Sequence, residues 1–106
     1  MIKVTFTESG HKLSLRLEGH AGYAEEGKDI VCASASILAY TLATIVDSFD
    51  DVESVIDLNL GDTTIECECE DESTFVTLKN AYLQAKIGYA LLAEYYPQYV
   101  RLEALT

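Results

Sequence analysis

Basic residues are scarce in this sequence. Seven lysines and arginines stand against 18 aspartates and glutamates, a formal net charge of −11 over 106 residues. Direct binding to nucleic acid or to an anionic membrane needs basic surface, and this balance argues against both. It suits a basic protein or peptide as partner, and equally plain solubility. Cysteine is sparse too. Three is an odd number, so the chain carries no disulfide framework. The N-terminus does not read as a secretory signal, and a reducing cytoplasm is the expected compartment. Long apolar runs are nearly absent. The longest, Ile30 to Val46, is short for a membrane span and carries Ser34, Ser36, Thr41 and Thr44, so it reads as a buried helix. Linkers, repeats and low-complexity tracts are missing, which predicts a single domain over residues 1–106.

What is there is a clear alternation of periods. Ile2, Val4 and Phe6 alternate with Lys3, Thr5 and Thr7, the pattern of a half-buried strand. Ser9-Gly10-His11 turns the chain into a second strand with Leu13, Leu15 and Leu17 on one side. A loop from Ala21 to Lys28 follows, and Asp29 stands where a helix N-cap belongs. The helix it opens runs to about Val46. Its polar stripe is narrow, so it is expected to pack on a sheet and on something more, a second helix or another subunit. Ile56, Leu58 and Leu60 predict a third strand, Gly61-Asp62 a turn, and Ile65, Cys67 and Cys69 a fourth strand. Phe75, Leu78, Tyr82, Ala85, Tyr89, Leu92 and Tyr96 recur at steps of three and four, one face of a second helix that Pro97 stops. Val100, Leu102 and Ala104 predict a closing strand. The order β-β-α-β-β-α-β implies an α+β fold, a two-layer sandwich with two helices on one face of a mostly antiparallel sheet.

Two residues could carry chemistry together. His20 follows the second strand, and Cys32 would be the third residue of the first helix. A thiol is a nucleophile only as thiolate. First-turn N–H groups and a nearby imidazolium would both favour that form. Amides of Ala33 and Ser34 could hold an oxyanion as it forms. His20 could protonate a leaving amine and then activate water. Asp29 could orient His20 as well as cap. The plain alternative is a small core cysteine and an ordinary loop histidine.

The residues Gly19-His20-Ala21, followed by Gly27-Lys28-Asp29-Ile30-Val31-Cys32-Ala33 and Ser36, resemble the ribosomal-processing cysteine protease (Prp) family. The element order resembles that family along nearly the whole chain, while the specific signal lies in residues 19–36. The family usually has Ala-Val where this chain has Ser34-Ala35. The resemblance implies a peptidase with Cys32 as nucleophile, His20 as general base and acid, and Gly19, Asp29 and Ser36 in the supporting motif. It implies removal of an N-terminal extension from a large-subunit ribosomal protein precursor, a basic substrate that suits the charge. It also implies a homodimer, and an apolar groove beside Cys32. No cofactor or metal is called for.

Other residues read as follows. Gly22, Tyr23 and Gly27 sit in the loop between His20 and Cys32, and could line the substrate path. Glu25 and Glu26 could attract a basic substrate or only keep that loop wet. Ser36, one turn after Cys32, could hydrogen-bond near the site or back to its own helix. Cys67 and Cys69 share one side of a strand and read as core thiols, because no zinc ligand set surrounds them. His11 reads as a solvated turn residue, and Tyr82, Tyr89 and Tyr96 as a packing stripe. Two rival functions remain: a non-enzymatic ribosome-assembly adaptor that binds a basic ribosomal protein, and a thiol-transfer or redox-sensing protein that uses Cys32.

Overall fold

The computed structural model describes residues 1–25 and 27–105; Glu26 and Thr106 lie outside the described residues. The order is β1 (Ile2–Ser9), β2 (Lys12–Glu18), α1 (Ile30–Asp47), β3 (Glu53–Asn59), β4 (Asp62–Glu68), α2 (Glu72–Tyr95) and β5 (Val100–Leu105). The five strands form one sheet in the order β3-β4-β2-β1-β5. Three of its pairings are antiparallel, but β5 runs parallel to β1, with Ile2 opposite Val100 and Phe6 opposite Ala104. A parallel partner needs a long crossover, which here starts from β4 and runs through α2.

Alternation decides which face is buried. Val4, Phe6, Leu15, Leu17, Ile65 and Cys67 all point into the core, while their neighbours face solvent. Both helices cover this face. α1 contributes Val31, Ala35, Ala39, Leu42, Ala43 and Val46, and its small alanines let it lie close. α2 contributes Phe75, Leu78, Tyr82, Ala85 and Tyr89. By length and composition alone α1 could cross a bilayer. Its alanine-rich face is instead taken up by the sheet and by α2.

The tyrosine stripe is a packing stripe. Tyr89 is fully buried, and its hydroxyl donates to the Ala35 carbonyl at 2.8 Å, tying α2 to α1. Tyr82 donates to the Ile65 carbonyl at 2.9 Å, tying α2 to β4. Burial raises the pKa of both phenols, so they stay neutral donors.

Two expectations need correction. Leu60 is not in a strand: β3 ends at Asn59, and Leu60-Gly61 is a two-residue hairpin loop. The apolar side of the strand that remains is only partly covered, with Ile56 half-buried and Leu58 exposed. β3 is an edge strand, at the margin of what the helices cover. His11 is exposed but not merely solvated. Its Nε2 lies 2.9 Å from Glu72 Oε2, and its ring meets Phe75 edge-on, which joins the first hairpin to the start of α2.

Candidate active site

His20 is held where three strand ends meet. The Gly19 N–H donates to the Gly61 carbonyl at 2.9 Å, joining the end of β2 to the β3–β4 turn. The Met1 ammonium donates to the His20 carbonyl at 2.6 Å, joining the start of β1 to the same point. Gly19 has φ +89°, and a Cβ there would lie 2.5 Å from the Met1 carbonyl oxygen. Only glycine fits both demands, which gives Gly19 a physical role in the motif.

Cys32 is held by the cap of α1. Asp29 is extended (φ −84°, ψ 99°), and its Oδ1 accepts from the amides of Val31 at 3.0 Å and Cys32 at 2.9 Å. Its Oδ2 reaches back across the loop to the amides of Tyr23 at 3.0 Å and Ala24 at 3.4 Å. One carboxylate thus fastens both the loop and the thiol-bearing turn. Burial works against its charge, but the amides of Cys32, Ala24, Tyr23 and Val31 outweigh it and hold the carboxyl below its ordinary pKa. Orientation of His20 by this carboxylate is not observed, because the oxygens are committed to amides.

The two side chains come together in one cleft. An open cavity of about 610 Å³ is lined by His20, Gly22, Gly27, Asp29, Cys32 and Ser36, with Ile30 and Leu60 among its apolar residues. A narrower crevice of about 40 Å³ lies between α1 and the β3–β4 turn, and it too is lined by His20, Cys32 and Ser36. Cys32 is half-buried and its sulfur is free. Ser36 differs from its neighbours on the helix. Ser34, Thr41 and Thr44 each donate back to the carbonyl four residues earlier, whereas the Ser36 hydroxyl makes no hydrogen bond among the described residues.

Some candidates are placed elsewhere. Tyr23 does not line the cleft. It stacks edge-on against Tyr96 at 5.7 Å and Tyr99 at 5.2 Å, so it anchors the loop to the end of α2. The amide of Ala33 is not open to an oxyanion, because it donates to the Asp29 carbonyl at 3.0 Å as the first rung of the helix. Ser34 lies one residue deeper, where helical geometry directs the amide to the Ile30 carbonyl. Glu25 pairs with Lys28 at 3.0 Å, and Glu26 lies outside the described residues.

Cys67 and Cys69 are buried on and just beyond β4, and burial raises the pKa of both thiols. Cys67 lies on the order of 15–20 Å along β4 from the turn beside His20. That is too far to resolve a disulfide at Cys32, which removes the support for a thiol-exchange protein. No group of three or more His, Cys, Asp or Glu side chains suited to a metal occurs among the described residues.

Two residues were missed by sequence reasoning, Leu60 and Gly61. Both belong to the β3–β4 turn that closes the cleft opposite α1. The Gly-Asp turn signal was visible at that point; its approach to His20 was not.

Comparison with known proteins agrees with this fold. The family model of cysteine protease Prp matches residues 1–101. An essential ribosomal processing protease Prp from S. aureus, solved with a covalently linked product peptide, superposes with a TM-score of 0.82 at 22% identity, covering 98% of this chain and 99% of that one. The same protease with a substrate peptide gives 0.74 at 21% identity, again over 98% and 99%. SMU.848 from Streptococcus mutans gives 0.71 at 29% identity, over 100% of this chain and 95% of that one. A search of curated proteins finds no match. The chain belongs to the Prp family and is a cysteine protease.

Proposed function

We propose that the chain is an endopeptidase that removes the N-terminal extension of a large-subunit ribosomal protein precursor, with Cys32 as nucleophile and His20 as general base and acid. The observation that carries this reading is the meeting of His20 and Cys32 in one open cleft. His20 takes the thiol proton, and the thiolate attacks the scissile carbonyl. The tetrahedral intermediate collapses to a thioester as His20 returns the proton to the leaving amine. His20 then takes a proton from water, the hydroxide attacks the thioester, and the acid product leaves with the thiol restored. Ile30 and Leu60, 52% and 70% exposed, offer apolar contact on the cleft rim for an extended peptide. Gly22 and Gly27 keep the loop side of the cleft open to substrate. Ser36 offers a hydroxyl to it.

The charge of −11 suits a basic substrate and gives no footing for direct nucleic-acid contact. Three unpaired thiols suit a cytoplasmic setting. A homodimer is the reading for the apolar margin where Tyr40 of α1 meets Ile56 and Leu58 of β3; sedimentation at the monomer mass would reject it.

The test is mass spectrometry of the N-terminally extended ribosomal protein incubated with wild-type enzyme and with Cys32→Ala. Cleavage by the wild type alone is expected. Binding by both with cleavage by neither would favour the adaptor reading.

A further inference from the structure

We propose that Gly61 is a positioning residue for His20, and that the β3–β4 turn is the seat of the catalytic imidazole. This rests on the role of His20 proposed above. The His20 ring lies directly over Gly61: a Cβ built there would stand 2.6 Å from Nε2 and 2.8 Å from Cε1. Real Cβ atoms do not approach that closely, so any side chain at residue 61 displaces the ring. The contact is not accidental to the fold. The Gly61 carbonyl accepts the Gly19 N–H at 2.9 Å, one residue before His20, so backbone and ring dock on the same glycine. Gly61 and its neighbours Asn59, Leu60 and Asp62 line the crevice that also holds Cys32. The imidazole is otherwise exposed and without a hydrogen bond among the described residues. A seat on one face is then its main restraint.

The backbone gives a second reason for glycine, since φ is +81° at Gly61. The two reasons can be separated. Gly10, in the β1–β2 turn, has φ +60° with nothing within 4 Å of a Cβ. Gly10→Ala therefore carries backbone strain without a blocked ring. Gly61→Asn carries the Cβ with less strain, because asparagine adopts positive φ more readily than other side chains.

The experiment compares kcat, KM and thermal stability of Gly61→Ala, Gly61→Asn and Gly10→Ala on the extended ribosomal protein. The His20 ring resonances are followed by NMR. Both Gly61 variants are expected to lose roughly ten- to a hundredfold in kcat, the scale of a small misplacement of a catalytic group. KM should stay within about twofold, and the ring signals should move. Gly10→Ala is expected to keep wild-type kcat even where its stability falls. A Gly61→Asn enzyme with wild-type kcat and unmoved His20 signals would overturn the proposal. So would a kcat loss in Gly10→Ala matching that in Gly61→Ala. His20→Ala in parallel separates the two levels. If it cleaves normally, the dyad reading fails and the positioning role with it. If it is inactive while Gly61→Asn is unimpaired, the dyad stands and only the seat fails.

Discussion

At the scale of single residues, three thiols of one chemical type fall into two environments. Cys32 opens into a cleft, while Cys67 and Cys69 lie in the core with pKa values raised by burial. Iodoacetamide should therefore label Cys32 alone in the native protein, and Cys67 and Cys69 only on unfolding, read by peptide mass spectrometry. Labelling of all three at one rate would contradict the packing. The buried hydroxyl of Tyr89 gives a second expectation. Tyr89→Phe removes its bond to the Ala35 carbonyl and should cost about 1 kcal/mol in urea unfolding, the net worth of one such bond. The His20–Cys32 pair was legible because its residue types and spacing are local. The place of Tyr23 was not, since Tyr96 and Tyr99 lie more than 70 residues away along the chain.

At the scale of elements, the start of α1 is the part of the site most fully explained. Asp29 was readable as a cap, because a carboxylate just before an apolar helical run has little else to do. Its second duty, on the loop amides of Tyr23 and Ala24, needed the fold of the loop itself. Asp29→Ala should cost roughly 1–2 kcal/mol for the cap. It should also raise hydrogen exchange at Tyr23, Ala24 and Cys32; unchanged exchange there would deny the carboxylate its clasp. The same contact has a pH dependence. The folded pKa lies below the ordinary aspartate value of 3.8, so the stabilisation is complete well above that value. It is lost as pH falls through the folded pKa, and protection of the loop amides should fade over that range. Hairpin turns were legible from Gly10 and Gly61. The margin of β3 was not: alternation marks an apolar side, but not how far the helices reach over it.

At the scale of the whole molecule, the element order was legible and the sheet order was not. Local periodicity gives β-β-α-β-β-α-β, yet nothing local in Val100 to Ala104 says that this strand runs parallel to β1. The approach of Met1 to the site comes from the β1–β2 register: with Lys3 opposite Glu18, the Met1 ammonium reaches the His20 carbonyl, while the His20 ring lies over Gly61. The cleft that holds His20 and Cys32 is thus a product of tertiary assembly around a local motif. We propose that His20 and Cys32 act there as one unit. His20→Ala should lower turnover by about a hundredfold or more, as loss of acid–base catalysis does. Cys32→Ala should abolish it. The direct test is the rate of precursor cleavage by His20→Ala, Cys32→Ala and the double variant. If the pair is one unit, the double variant is no slower than Cys32→Ala alone. Cleavage that survives in Cys32→Ala, with losses that multiply in the double variant, would contradict the account.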